Sequence, residues 1–195
     1  MSASAQPRTG FIKRLVGKTF LGVQGWKVEG SLPDLKKYII IGAPHTSNWD
    51  FVFYIALVWS LGLRTNFLGK HTLFKGPLGW WMRRQGGLPV ERSTPHGAVE
   101  QVVKLFDQSD ELVLVMAPEG TRKFTKHWRT GFYHIAAGAK LPIVLGYADF
   151  TKKVVGFGPL FWPTGDLDAD IATMQVFYKG VRGKRPEQGS TVAVK

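Results

Sequence analysis

The segment Gly42-Ala43-Pro44-His45-Thr46-Ser47-Asn48-Trp49-Asp50 sets a histidine and an aspartate between two apolar runs, 38–41 and 51–59. An acid that accepts a hydrogen bond from one imidazole nitrogen fixes the tautomer and stabilises the imidazolium. The other nitrogen is then free to take a proton from a hydroxyl. That is the base half of a serine-protease triad, with the substrate's own alcohol as nucleophile. His45 and Asp50 lie about 140° apart around a regular helix, so they cannot share a helical face. They meet only if His45 stands in a loop and Asp50 in the first turn of the following helix. The same letters admit a plainer use. Ser47 to Asp50 is a Ser-x-x-Asp capping pattern, and an acid in a first turn favours the helix dipole without any catalysis.

Two further polar loops follow apolar runs. In "APEGTRKF", residues 117–124, an acid, a small residue, a hydroxyl and a guanidinium stand together as Glu119, Gly120, Thr121 and Arg122. Glycine lets backbone N–H groups approach a ligand, and Arg122 could grip a phosphate in a bidentate fork. A Pro-Glu-Gly run is equally a turn, with the arginine solvated. In "GGLPVER", residues 86–92, Glu91 and Arg92 end a short strand, and Arg92 matters only if it converges with Arg122. Lys70, in "FLGKHTLFKG", is a strand-end cation of the same status. The basic run "RKFTKHWR", 122–129, carries two aromatics and is a candidate for contact with lipid headgroups. His71, His96, His127 and His134 lack an acid at suggestive spacing and are read as structural or surface residues. The five histidines form no zinc-type spacing and there is no cysteine, so no metal site is expected.

The elements that must hold these loops alternate along the chain. Residues 37–43, 64–70, 87–92, 111–117, 141–150 and 152–158 read as strands. Residues 48–62, 75–86, 94–108, 131–140 and 166–177 read as helices, with Thr94 as the N-cap of the third. Such alternation predicts a single layered α/β domain, its largely parallel or mixed sheet flanked by helices, with the site on strand-to-helix loops at one edge. Residues 1–9 read as a disordered tail and 10–24 as an amphipathic helix. There Phe11, Ile12, Leu15, Val16, Phe20 and Val23 share one half, opposite Lys13, Arg14, Gly17, Lys18 and Gln24, with Leu21 as the exception. Such a helix either covers a core or lies in a membrane interface. The expected division is 1–24 tail and helix, 25–178 domain, 179–195 a loose basic tail.

A chain of 195 residues with 44% hydrophobic and 21% charged residues can bury a substantial core. Its formal charge of +12 points to an anionic partner. Seven Trp and 13 Phe beside that charge suit a membrane surface or single-stranded nucleic acid, and composition does not separate them. The polar start reads as no secretory signal. The longest apolar run, 51–63, would reach about 20 Å as a helix, short of a hydrocarbon core of about 30 Å.

In their order, these blocks resemble the glycerolipid acyltransferase family, whose familiar member is 1-acylglycerol-3-phosphate acyltransferase. The blocks are "HTSNWD" (45–50), "GGLPVER" (86–92), "PEGTR" (118–122) and "LPIVLG" (141–146), with "GKHTLFKGPLGWWMRRQGG" between the first two. The resemblance covers roughly residues 26–160. It implies an O-acyltransferase in which His45 is the general base and Asp50 orients it. Arg92, Arg122 and Lys70 would hold the acceptor's phosphate, with Glu119, Gly120 and Thr121 shaping that pocket. The implied donor is acyl-CoA or acyl-carrier protein, and the acceptor a lysophospholipid, with 1-acylglycerol 3-phosphate first. The anionic partner would be a membrane surface and not nucleic acid, met as a peripheral or monotopic protein on the cytoplasmic side. No cofactor is implied. Other acceptors, another lyso-lipid or polar alcohol, fit the same base. A non-enzymatic basic binder fits the charge but predicts nothing about His45 and Asp50. The chain departs from the family pattern at Leu145, where a second proline is usual, and in offering only residues 10–24 where many bacterial members carry a two-helix membrane anchor.

Overall fold

The computed structural model describes residues 10–90, 95–190 and 192, with the side chains of 95 and 96 left aside. Its centre is the strand β2 (Lys37–Gly42). Every interior residue of this strand is apolar and buried, as expected where helices cover both faces of a sheet. Successive side chains point to opposite faces. Ile39 and Ile41 join Leu114, Ile143, Phe132 and Met174 in one core cluster. Tyr38 and Ile40 join Val113, Val144, Leu21 and Leu57 in the other.

Around β2 stand β1 (Lys27–Glu29), β3 (Asn66–Lys70), β4 (Gly87–Val90), β5 (Leu112–Met116), β6 (Ile143–Asp149) and β7 (Val154–Phe161). They form a seven-stranded sheet in the order β1-β7-β6-β2-β5-β3-β4. All pairings are parallel except β6 with β7, which continue antiparallel through the short turn between them. The mixed α/β architecture read from the alternation is therefore present. The three-residue β1 was too short to announce itself in the sequence.

The helices among the described residues are α1 (Phe11–Val23), α2 (Asn48–Leu61), α3 (Gly76–Arg84), α4 (Pro95–Gln108), α5 (Gly131–Gly138) and α6 (Leu167–Tyr178). The Thr94 cap expected for α4 and the tail 1–9 lie outside the described residues. No helix among them is long and apolar enough to cross a membrane.

Helix α1 sits inside out relative to its hydrophobic pattern. Its contact with α2 centres on Gly17 and Leu21, the latter only 2% exposed, with Phe20 against Phe53 beside them. A Cβ on Gly17 would lie 2.5 Å from both Ala56 O and Ser60 N, so the backbones approach as only glycine permits. Lys13 and Gln24 fall on the same face, and Lys13 Nζ lies 5.3 Å from the Trp59 ring centroid. Most of the apolar stripe is left outside, with Phe11 78% and Val23 82% exposed and Ile12, Leu15 and Val16 also uncovered, while Phe20 turns in against Phe53. The residue that broke the stripe, Leu21, is the one that is buried.

Candidate active site

Strands β2, β5, β3 and β4 are neighbours and parallel, so their C-terminal ends share one edge of the sheet. That edge is where a parallel α/β sheet presents its loops for ligands. The loop after β2 carries His45, and the loop after β5 carries Glu119 to Arg122. Lys70 ends β3, and the chain leaving β4 at Val90 leads to Arg92. Glu91 and Arg92 lie outside the described residues.

His45 Nδ1 stands 3.2 Å from Asp50 Oδ2. The same oxygen accepts the backbone N–H groups of Thr46 and Ser47, each at 2.7 Å. Ser47 is the N-cap of α2, and its hydroxyl accepts Trp49 N–H at 3.1 Å. The capping pattern and the histidine–acid pair are thus one construction. Asp50 is fixed as a cap by two amides, and in that position it reaches the imidazole. His45 is partly exposed and Asp50 nearly buried, so the ring's other nitrogen, Nε2, is left for a substrate.

Glu119 stands beneath this loop. It is 2% exposed, and its Oε2 and Oε1 both accept His45 N–H, at 2.9 and 3.1 Å. Burial pushes its carboxyl up to about 7, against the opposing pull of the His45 N–H bond, while the Asp50 carboxylate adds to the rise. The parallel register Ile41↔Met116 explains the meeting, since loops leaving paired strand ends start side by side. Glu119 was expected to help shape a phosphate pocket; the contact it makes here is to the backbone of His45.

A cavity of 1400 Å³ opens along this edge. His45, Asp50, Lys70, Gly120, Thr121 and Arg122 all line it, so six of the eight expected site residues converge on one space. Much of its lining is apolar, with Leu57, Phe67, Val99, Ile135 and Phe157 among the residues. Gly120 has φ 64°, in the left-handed region that favours glycine, and its N–H is spent on Ala117 O at 3.1 Å. The space beside it is filled by Arg129, whose Cδ and Nε would lie 2.7 and 2.8 Å from a Cβ there. Glycine therefore admits a second arginine across the loop, a use the sequence did not show. Among the described residues no cluster of acids and histidines could hold a metal ion.

Several lining residues were not expected among the site residues: Lys123, Trp128 and Arg129 of the basic run, and Arg185 and Gln188 of the tail. Trp128 belongs to the basic run read as a headgroup contact, yet it is buried against Phe132 and Tyr178 and roots that loop in the core. The available signal for Arg129 was its place in a basic run closing a loop, where Arg129 N–H bonds Pro118 O at 2.8 Å. The tail expected to be loose is bonded to the site as far as Ser190, with Arg185 N–H on Thr46 Oγ1 at 3.2 Å.

A family model described as Acyltransferase matches residues 26–145. The chain is 30% identical over 107 residues to a 1-acyl-sn-glycerol-3-phosphate acyltransferase of Streptococcus pneumoniae (strain ATCC BAA-255 / R6). That match takes in 50% of this chain and 39% of the relative, so the chain spans well under half the relative's length. Its fold is similar to that of the 1-acyl-sn-glycerophosphate (LPA) acyltransferase, PlsC, from Thermotoga maritima. The TM-score is 0.63 at 18% identity, covering 87% of this chain and 77% of that one.

Proposed function

Because the chain belongs to the acyltransferase family, we propose that it is an O-acyltransferase. On this reading it moves an acyl chain from an acyl thioester, of coenzyme A or a carrier protein, to the free hydroxyl of a lysophospholipid. The activity for which the Streptococcus relative is named makes 1-acylglycerol 3-phosphate the first candidate acceptor. The observation that carries the chemistry is the His45 Nδ1–Asp50 Oδ2 contact at 3.2 Å, with that oxygen pinned by two backbone amides.

In the reaction His45 Nε2 takes the acceptor's hydroxyl proton as its oxygen attacks the thioester carbonyl carbon. The imidazolium that forms is stabilised by Asp50. Collapse of the tetrahedral intermediate breaks the C–S bond, and the thiolate leaves with the proton returned from His45. No acyl-enzyme is involved, because the nucleophile is the acceptor itself. Lys70, Arg122 and Arg92 hold the acceptor's phosphate, and the apolar lining of the cavity takes a chain. Much of the rate in such a transfer comes from positioning, so losing a clamp lowers turnover as well as affinity. Glu119 acts one step back, by fixing the backbone of the base.

The membrane half of the reading rests on exposed apolar surface beside positive charge. The outer stripe of α1 is uncovered. On α3, Leu78, Trp80 and Trp81 are exposed while Arg84 stacks on Trp80 at 5.5 Å. Tryptophan and arginine side by side suit the headgroup level of an anionic leaflet. The test of the chemistry is product mass spectrometry after incubation with acyl thioesters and a panel of lyso-lipids. A diacyl product that disappears in a folded His45→Ala protein supports the proposal. No product from any acceptor, with vesicles present, sinks it and leaves a basic membrane-binding protein.

A further inference from the structure

Residues 179–190 run along the C-terminal edge of the sheet as a strap. At the end of β6, Phe150 N–H donates to Arg182 O at 2.8 Å. Above β2, Arg185 N–H donates to Thr46 Oγ1 at 3.2 Å, one residue from the base. In the loop after β5, Thr125 N–H donates to Ser190 Oγ at 3.1 Å. These anchors follow the strand order β6, β2, β5. With its amide turned to suit both partners, Gln188 donates to Thr46 O at 3.0 Å and to Arg122 O at 2.7 Å, joining the two motif loops. Gly183 has no room for a side chain, since a Cβ would stand 2.6 Å from Thr46 Oγ1. The strap's path is therefore set by the catalytic loop itself.

Its two central cations part ways. Lys184 Nζ lies 4.2 Å from the Trp49 ring centroid, a cation–π contact. Arg185 instead lines the cavity that His45 and Arg122 also line. Among the described residues no carboxylate pairs with it. An exposed arginine is ordinarily just solvated. This one differs because its backbone is bonded to Thr46, so its guanidinium starts from a fixed point beside the base. We propose that Arg185 is a substrate-binding residue that grips a phosphate group, an inference that rests on the acyl-transfer reading above. The phosphate is either the acceptor's phosphomonoester or those of a coenzyme A donor. Either would meet the planar fork of donors that arginine offers. Arg185 would then stand across the base loop from Arg122, and the strap would supply a wall of the site that none of the four sequence blocks contains.

The experiment uses the full chain as wild type, Arg185→Ala, Arg185→Lys and Lys184→Ala. Each is assayed with either substrate varied in turn. Each is also titrated with two non-reacting probes, glycerol 3-phosphate and adenosine 3′,5′-bisphosphate, read by the shift in thermal midpoint. Arg185→Ala is expected to raise KM about tenfold to hundredfold for the substrate whose phosphate it holds. KM for the other substrate and the unliganded midpoint should stay as they were. Protection by glycerol 3-phosphate should vanish if the acceptor is the source, and protection by the bisphosphate if the donor is. Arg185→Lys should recover part of the loss, and Lys184→Ala should resemble wild type. An active Arg185→Ala protein with both KM values and both protections unchanged overturns the assignment. If wild type forms no product, the acyl-transfer reading fails, and the probes alone decide on Arg185. Protection lost in Arg185→Ala then keeps the phosphate contact; equal protection in both proteins, or none in wild type, ends it.

Discussion

Replacing Glu119 by glutamine tests the idea that a buried carboxyl props the base from below. Glu119 is 2% exposed and its carboxyl is pushed up to about 7 from 4.5, first by burial. A carboxyl whose folded pKa is raised binds a proton in the folded state that the unfolded chain has released. Its contribution to stability is therefore fully present below about pH 4.5 and is lost as the pH rises through about 7. At 1.36 kcal/mol per unit, the two pKa values imply a loss of about 3 kcal/mol across the whole window. Integrated between pH 5 and pH 8, it is about 2–3 kcal/mol. Glutamine keeps an oxygen to accept His45 N–H and cannot ionise, so Glu119→Gln removes this slope. Urea unfolding followed by tryptophan fluorescence gives the free energies of both proteins at each pH. The difference, variant minus wild type, should grow by about 2–3 kcal/mol from pH 5 to pH 8. Other titrating groups cancel in that difference, because both proteins carry them. A difference that stays flat with pH would mean the carboxyl is not held protonated by burial, and the argument for its position would fall. Acyl transfer by the variant should persist, since the base keeps its backbone anchor.

Three shorter predictions bear on the other elements. Asp50→Asn should lower kcat about a hundredfold or more and cost about 1 kcal/mol of stability through the weakened cap; a wild-type kcat would remove Asp50 from the mechanism. Leu15→Glu, on the outer stripe of α1, should leave unfolding free energy within about 0.5 kcal/mol while weakening cosedimentation with phosphatidylglycerol vesicles about tenfold. Undiminished vesicle binding would deny that stripe a role at the membrane. Gly17→Val, where a Cβ would meet Ala56 O and Ser60 N at 2.5 Å, should cost about 1–3 kcal/mol in denaturant unfolding. Unchanged stability would show that α1 is not packed on α2 by close backbone approach.

The sheet was legible because its central strands, such as 38–41 and 112–116, are short unbroken apolar runs bounded by polar loops, whereas the longer apolar run 51–59 is a helix. The row of motif loops was legible as chemistry because His45 and Asp50 have a spacing that only a loop-to-helix junction can close. What stayed hidden depended on contacts between distant segments. Helix α1 read correctly as amphipathic, yet hydrophobicity does not say which face is buried, and the close approach at Gly17 turned the apolar stripe outward. The bond that Glu119 accepts stayed hidden because its partner is 74 positions away and is a backbone N–H, which no sequence pattern encodes. The strap looked loose because it is basic and rich in glycine. In place, Gly183 is small because Thr46 leaves no room for a side chain.

On the proposed mechanism the base, His45, is held by two carboxyl groups that arrive from different parts of the chain, and this division has a physical logic. Asp50 comes from the helix the base precedes and holds the ring. Glu119 comes from the neighbouring strand's loop and holds the backbone. The amides of Thr46 and Ser47 fix Asp50 before any substrate arrives, so little ordering remains to be done when the imidazolium forms. Glu119 performs the complementary task at His45 N, where a swing of the loop would otherwise move the ring away from the hydroxyl. Because Ile41 and Met116 are register partners, the distance from Glu119 to His45 is set by the pairing of β2 with β5. The two demands of the proposed site, a ring at a fixed angle and a loop at a fixed height, are thereby met by one local device, a helix cap, and one long-range device, a strand register.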